Sequence, residues 1–186
     1  MRTELVERAQ RGDREAFDAL ASSLYDRLYS VGRRILRDGH AAEDAVQEAL
    51  IRGWRDLPSL REPDRYEAWM HRLLVNACHD LSRRGRRFEV EVPAIGLDRS
   101  DPTDDFASVV TRDELDRAFL RLPVEHRAVL VLTHYVGMSA AEVADVLGIP
   151  VGTVYSRLHY GIRLMRSAMA GSSKPATALP AREHVR

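Results

Sequence analysis

The stretch from residue 152 to residue 163 combines small, aromatic and basic side chains and contains no acidic residue. In a helix, successive side chains lie about 100° apart, so four of these residues share one face and three flank it: Gly152, Ser156, His159 and Arg163, flanked by Thr153, Tyr155 and Tyr160. Such groups bond to base edges and phosphates, and a glycine lets a helix approach a major groove closely. The face predicts DNA readout. A solvated face of a plain helical hairpin is the alternative interpretation.

The residues before this stretch predict how it is positioned. Ser139 and Glu142 have the spacing of a capping box, which begins a helix. Gly148 can end that helix in a left-handed conformation, and Pro150 suits the first turn of the next one. Two helices joined by about three residues that include a glycine form a helix-turn-helix. The sequence therefore predicts a recognition helix that begins near Val151.

A second set of candidates lies on a predicted helix from about residue 64 to residue 84, whose inward residues are expected to be Trp69, Leu73, Ala77 and Leu81. Five polar residues align beside that stripe and are called the ridge here: Arg65, Arg72, Asn76, His79 and Arg83. Phosphate binding is one interpretation of the ridge, and a solvated surface is the other. Tyr66 and Trp69 could stack on unpaired bases, although aromatic residues at helical spacing more often belong to a core.

A third set lies on the predicted helix that contains Val46. The face opposite its apolar stripe holds one aliphatic residue among charges, and is called the arc here: Asp44, Glu48, Ile51, Arg52 and Arg55. An exposed isoleucine is often without consequence. In a mixed-charge face it could equally anchor a protein partner, and the residues alone leave both interpretations open.

Other chemistries find little support in the sequence. Cys78 is the single cysteine, which excludes an internal disulfide, and His71, Cys78 and His79 lack the spacing of a four-ligand metal site. We therefore predict no metal site, and no cofactor is expected. The longest purely apolar run, 128–132, is too short to span a membrane, and the first residues do not resemble a signal peptide. A cytoplasmic protein is expected.

Helical periodicity accounts for most of the chain, and no convincing strand is found. Residues 1–88 have a net charge of +2, residues 89–118 of −6 and residues 119–186 of +4. The sequence predicts an all-α protein of two small helical domains, 1–88 and 111–170, joined by a flexible acidic linker (89–110) and followed by a disordered tail (171–186). The linker carboxylates of Asp98, Asp101, Asp104 and Asp105 could screen the DNA-facing surfaces of both domains; a soluble spacer is the alternative.

Three segments carry a family resemblance: AEDAVQEALIRGW (42–54), YEAWMHRLLVNACHDLSRRGRR (66–87) and LPVEHRAVLVLTHYVGMSAAEVADVLGIPVGTVYSRL (122–158). In order and spacing they closely resemble the bacterial sigma factors of the extracytoplasmic-function (ECF) group. The resemblance covers roughly residues 13–170. It implies a non-enzymatic protein in which residues 1–88 form sigma region 2 and residues 111–170 form region 4. It also implies binding to core RNA polymerase and promoter DNA, and often to an anti-sigma factor.

The resemblance assigns residues to three surfaces. Those expected to dock on the clamp helices of the largest polymerase subunit are Asp44, Gln47, Glu48, Ile51, Arg52 and Arg55. Those expected at the −10 element and its melting are Arg65, Tyr66, Trp69, Arg72, Asn76, Asp80 and Arg83. Those expected at the −35 element are Thr153, Tyr155, Ser156, Arg157, His159, Tyr160 and Arg163. Tyr155 and Tyr160 stand where the family often has Lys or Arg, so fewer phosphate contacts are expected. A stand-alone helix-turn-helix regulator that does not engage polymerase is the alternative function.

Overall fold

The computed structural model describes residues 2–88 and 115–172, with side-chain surroundings for 2–84 and 115–167. The secondary structure in these ranges is helical, without a strand, so the expected all-α class is confirmed. The predicted linker lies outside the described residues, as does the tail from residue 173 onward. No helix in the described ranges has both the length and the apolar character needed to cross a bilayer.

The first bundle contains four helices, α1 (Arg2–Gln10), α2 (Arg14–Leu36), α3 (Gly39–Asp56) and α4 (Tyr66–Phe88), with 3-10 turns at Leu57–Ser59 and Pro63–Arg65. Aspartates begin two of them. Asp13 accepts a hydrogen bond from the amide of Ala16 at 3.0 Å, and Asp38 accepts one from the amide of Ala41 at 2.9 Å. Each cap satisfies an amide that the helix itself leaves unpaired. The predicted cap at Asp13 is confirmed.

The buried face of α4 differs from the predicted one. Met70, Leu74 and Cys78 are fully buried, whereas Trp69, of the expected inward stripe, is only half-buried. Leu73 and Leu81 are also half-buried, and Ala77 is buried as expected. The reason is tertiary, because α4 packs against two helices of its own bundle and against the second bundle as well. The predicted inward stripe therefore covers only part of the buried face of α4.

The second bundle contains α5 (115–120), α6 (Val124–Leu130), α7 (Ala140–Leu147) and α8 (Val151–Ser172). A π-helical turn, Val131–Tyr135, continues α6 and is closed by the amide of Val136, which donates to the carbonyl of Val131 at 3.0 Å. A π turn inserts one extra residue and so rotates the side chains that follow it. Helix α8 extends two residues into the segment predicted as tail.

The two bundles lie against each other rather than apart. Helix α4 contacts α6 and α7, and α2 contacts α6 and the π turn. Buried residues of both bundles, such as Leu74 of α4 and Val124 of α6, belong to one continuous apolar core. The described residues thus form a closed arrangement in which one face of the first bundle is covered by the second.

Candidate nucleic-acid interface

The helix-turn-helix is held by the predicted local contacts. Ser139 accepts a hydrogen bond from the amide of Glu142 at 3.3 Å, and the Glu142 carboxylate accepts one from the amide of Ser139 at 2.8 Å. The bond from the Ser139 amide lowers the pKa of that carboxyl. Gly148 has φ +64 and donates its amide to the carbonyl of Ala144, which ends α7. The capping box and the left-handed glycine are confirmed.

Pro150 precedes the first turn of α8 instead of lying within it. Its carbonyl accepts the amides of Thr153 at 2.8 Å and Val154 at 3.3 Å, so it takes the N-cap position. Val154 is fully buried and anchors α8 against the rest of the bundle. The turn between the two helices is therefore fixed on one side by the left-handed Gly148 and on the other by Pro150 and Val154.

The outer face of α8 is solvent-exposed, as its pattern predicts. Gly152, Ser156, His159 and Arg163 are exposed, and Tyr155 is 61% exposed. A Cβ built at Gly152 would meet no atom within 4 Å, so the backbone there is open to a ligand. Ser156 donates its hydroxyl to the carbonyl of Thr153 at 2.9 Å, and its side chain is exposed.

Three residues predicted for this face lie on its edges. Tyr160 is 39% exposed and packs against His126 of α6, with ring centroids 4.9 Å apart, while the Arg163 guanidinium lies 5.8 Å from its centroid. Thr153 and Arg157 are half-buried. The most exposed part of this face is therefore centred on Ser156 and His159.

The arc on α3 presents its aliphatic residue to solvent. Ile51 is 63% exposed, and four polar neighbours are exposed around it: Asp44, Gln47, Glu48 and Arg55. Arg55 pairs with Asp56 at 2.7 Å. Trp54 is 39% exposed beside the arc, and its ring centroid lies 5.1 Å from that of Phe17 in an edge-to-face arrangement. Ile51 and Trp54 together make an apolar patch within a charged surface.

Arg52 connects the arc to the ridge. Its guanidinium donates to Glu48 of α3 at 2.7 Å and to Asp80 of α4 at 3.2 Å. Asp80 also accepts a hydrogen bond from Arg83 at 3.2 Å. Burial opposes the charge of Arg52, but the two carboxylates outweigh it and raise the pKa of the guanidinium. A charged network thus links the two surfaces.

The ridge on α4 is only partly available. Arg72, Asn76 and Arg83 are exposed, as predicted, and Trp69 and Asp80 are half-buried. Arg65 pairs with Asp145 of α7 at 2.8 Å. Asp145 was not singled out in the sequence, although it is one of few acids in the basic C-terminal block.

Tyr66 does not lie where base stacking would require it. Its side chain is 1% exposed, and burial raises the pKa of its hydroxyl to about 12. The ring of Trp69 lies 6.2 Å away in a tilted arrangement, on the solvent side. Tyr66 is therefore a core residue, and only Trp69 of this aromatic pair lies near the surface. The structural interpretation, that these aromatics belong to a core, applies to Tyr66.

A cavity of about 450 Å3 separates the ridge from the second bundle. Its walls include Asn76, His79 and Arg83 on α4 and Val124 and Glu125 on α6. Burial lowers the pKa of His79, opposed by Glu125 and reinforced by Arg157 of α8. The α6 wall could not be predicted from the sequence, because nothing local in Val124-Glu125 indicates which helix faces it.

The described residues offer no grouping of three or more His, Cys, Asp or Glu side chains able to hold a metal ion. Cys78 is buried, and burial raises the pKa of its thiol to about 12, so the thiolate needed for reactivity is not formed near neutral pH. The surfaces described above suit recognition of other macromolecules.

Two family models match the chain, Sigma-70 region 2 over residues 20–88 and Sigma-70 region 4 over residues 112–165. The ECF RNA polymerase sigma factor SigM of Mycobacterium tuberculosis is 38% identical over 147 residues, which is 78% of this chain and 73% of SigM. The chain belongs to the ECF group of sigma factors. Both regions are present in this sigma factor, so a stand-alone regulator is not favoured.

Solved structures share the fold of this sigma factor. CnrH, in complex with the cytosolic domain of CnrY, has a TM-score of 0.67 and 25% identity, covering 92% of this chain and 99% of CnrH. The sigma factor RpoE, in complex with the anti-sigma factor NepR from Bartonella quintana, has a TM-score of 0.67 and 19% identity over 83% of this chain and 96% of RpoE. The region 2 match thus includes most of α2 and all of α3 and α4, and the region 4 match includes α5, α6, α7 and most of α8.

Proposed function

We propose that this sigma factor docks on the clamp helices of core RNA polymerase through the arc around Ile51. The patch of Ile51 and Trp54 supplies apolar area, and the surrounding Asp44, Glu48 and Arg55 supply charge complementarity and register. Gln47 and Arg52 belong to the same surface. The main support for this docking site is the exposure of Ile51. This aliphatic side chain, which has no partner in the described structure, is 63% exposed at the centre of a charged face.

Promoter DNA is bound by the other two surfaces. The ridge residues Arg72, Asn76 and Arg83, with Trp69 and Asp80 beside them, engage the −10 element and assist its melting. Arg65 joins them once its bond to Asp145 is broken. The exposed face of α8 reads the −35 element through Ser156 and His159, with Arg163 contacting phosphate. Thr153, Tyr155, Arg157 and Tyr160 border that contact.

The protein acts in the cytoplasm, where polymerase and promoters are, and its role is regulatory rather than catalytic. An anti-sigma factor is a further proposed partner. The support is that CnrH and RpoE, which share this fold, were solved in complex with CnrY and with the anti-sigma factor NepR. Such a partner would compete for the same exposed surfaces that polymerase and DNA use.

Run-off transcription on genomic fragments tests the proposed function. Core polymerase alone, core polymerase with the sigma factor, and core polymerase with Ile51→Asp would be compared. Transcripts that require the intact protein support the proposal. If no transcript depends on it, the protein does not direct initiation with that polymerase.

A further inference from the structure

The α1 helix joins the core of the first bundle to the turns that precede α4. Val6 and Ala9 are buried in that core, so the position of α1 is fixed. Polar residues of α1 contact a stretch that is called the turn segment here, residues 57–65, which consists of the two 3-10 turns and the residues between them. The Sigma-70 region 2 match begins at residue 20, so α1 lies outside it.

Gln10 binds the first of these turns. Its side-chain nitrogen Nε2 donates to the carbonyl of Leu60 at 2.6 Å and to that of Leu57 at 3.2 Å. The Leu57 carbonyl also accepts the amide of Leu60 at 3.0 Å, which closes the turn. Because the NH2 group of a glutamine carries two hydrogens, one side chain can donate to both carbonyls. Gln10 therefore connects the two ends of a turn that lies 47 residues or more away along the chain.

The second turn is bound to α1 by weaker contacts. Thr3 donates its hydroxyl to the Asp64 carboxylate at 2.5 Å, and Arg2 pairs with Glu67 of α4 at 2.8 Å. Both contacts lie at the surface, where water and salt weaken them. The bonds of Gln10 are part-buried, and a hydrogen bond shielded from water is stronger. Gln10 therefore makes the principal polar contact between α1 and the turn segment.

The turn segment ends where the ridge begins. Arg65 is its last residue, and Trp69 lies one helical turn further along α4. Between the two 3-10 turns, Arg61 and Glu62 are exposed, and their backbone amides donate no hydrogen bond to any described residue. Backbone amides of this kind can donate to nucleic acid. A strand that follows the ridge as far as Trp69 therefore meets two unused donors at the tip of the turn segment.

We propose that Gln10 is a positioning residue for −10 recognition. Its two bonds fix the turn segment in the orientation that brings the free amides of Arg61 and Glu62 to the −10 strand at the end of the ridge. Recognition groups must be held within a fraction of an ångström, and 3-10 turns supply few bonds of their own. The proposal rests on the proposed function of the ridge, whereas the attachment of the turn segment to α1 does not.

Three variants separate the hydrogen bonds of Gln10 from its packing. Gln10→Met keeps an unbranched side chain of similar length but has no donor, and Gln10→Lys keeps donors that can reach the two carbonyls. Glu7→Met is the matched control, because Glu7 is exposed on the same helix and makes no bond to the turn segment in the described structure. Hydrogen exchange of the Leu60 and Arg65 amides, which close the two turns, measures how firmly the segment is held. Exchange should be at least about threefold faster in Gln10→Met, as loss of one or two hydrogen bonds implies.

Recognition is measured with holoenzyme on a promoter found by run-off and on its single-base variants. The discrimination ratio is the rate of open-complex formation on the parent promoter divided by the rate on each variant. Gln10→Met should lower this ratio at least about fivefold at one or two adjacent −10 positions, as loss of a base contact does, and should leave the −35 ratios unchanged. Gln10→Lys and Glu7→Met should keep the parent ratios. A role in stability alone would slow transcription on every promoter without changing the ratios.

Two results would overturn the positioning role. One is exchange or −10 discrimination in Gln10→Met equal to that of the parent protein. The other is an equal loss in Gln10→Met and Gln10→Lys, because the donors would then be irrelevant. Failure of the proposed function is seen separately, since the parent holoenzyme would show no preference at any −10 position before a substitution is made. That result would refute the ridge assignment and the recognition role of Gln10 together, while the exchange rates still decide whether Gln10 holds the turn segment.

Discussion

Arg52 of α3 donates a hydrogen bond to Asp80 of α4 at 3.2 Å, which links the arc on α3 to the helix that carries the ridge. The bond lies between two surfaces proposed to touch different partners, polymerase and the −10 strand. Because Arg52 also binds Glu48 on the arc, a contact made at the arc bears on the position of Asp80 and of its neighbour Arg83.

Ile51→Asp should abolish docking on core polymerase. The charge would be buried unpaired against an apolar contact, at a cost on the order of several kcal/mol. Because Ile51 is 63% exposed, helicity by circular dichroism should stay at the parent level. Ala141→Asp, an exposed acid introduced into the first turn of α7, is the matched control and should bind polymerase normally. Normal binding by Ile51→Asp would refute the assigned interface.

Ser156→Ala and His159→Ala should change sequence preference at the upstream element. Each loses a base contact worth about 1–3 kcal/mol, expressed at particular base positions. Arg163→Ala should instead weaken binding about equally for all sequences and reduce the salt slope, as loss of a phosphate contact does. Affinities for a set of single-base promoter variants, measured at two salt concentrations, distinguish these cases. A uniform effect of His159→Ala would remove it from base readout.

Gly152→Ala should separate DNA affinity from stability. Nothing lies within 4 Å of the added methyl group, and alanine favours a helix by up to about 1 kcal/mol, so the free energy of unfolding should not fall. DNA affinity should fall, because the methyl group keeps α8 from the groove. Gly161→Ala is the contrast, since its Cβ would lie 2.8 Å from Leu130 Cδ1 and packing must shift. Unchanged DNA affinity in Gly152→Ala would show that the helix does not approach closely there.

Asn76→Ala should reduce open-complex formation while upstream binding persists. Asn76 is exposed on the ridge and faces the cavity, so its removal should not disturb the core of either bundle. Permanganate reactivity of unpaired thymines reports melting, and footprinting of the upstream element serves as the internal control. Melting equal to that of the parent protein would exclude Asn76 from this step.

Stability should fall as the pH drops below about 6.5. The Nδ1–H of His71 donates to the carbonyl of Glu67 at 2.8 Å, and its Nε2 is buried without a hydrogen-bond partner. Burial, with Arg27 adding to it, lowers the pKa of His71 below 6.5. Between the unfolded pKa and the lower native pKa, the unfolded chain binds a proton at His71 that the native state does not bind. The free energy of unfolding therefore decreases as the pH falls through this range.

Urea denaturation at about pH 7.5 and about pH 5.5 measures this decrease. In His71→Gln the decrease should be smaller, whatever the absolute stability of the variant. His40→Gln removes a fully exposed histidine and should leave the decrease as it is. An equal decrease in His71→Gln would assign the pH dependence to other groups.

Local signals made much of the fold predictable. The capping hydrogen bonds join residues no more than four positions apart, so the roles of the capping residues can be predicted from sequence alone. These residues are Asp13, Ser139, Glu142 and Gly148. The exposure of Ile51 likewise follows from its angle to the stripe of its own helix. These features need no knowledge of what lies elsewhere in the chain.

The rest depended on packing between distant segments. The pairing of Arg65 with Asp145, 80 residues away along the chain, and the cavity wall at Val124 both arise where the second bundle meets the first. The π turn at Val131–Tyr135 could not be predicted from the sequence either, since its apolar residues fit an ordinary helix. Periodicity describes one helix at a time and cannot report which of its faces a second bundle will cover.

The geometry of the helix-turn-helix bears on how promoter preference could diversify. The turn between α7 and α8 is fixed by Gly148, Pro150 and the buried Val154, none of which lies on the exposed face of α8. Substitutions at positions such as Ser156 and His159 can therefore accumulate without changing the residues that orient α8. A duplicated copy of this sigma factor could acquire a new regulon through a few surface changes, and orthogonal promoter–sigma pairs could be engineered by the same route.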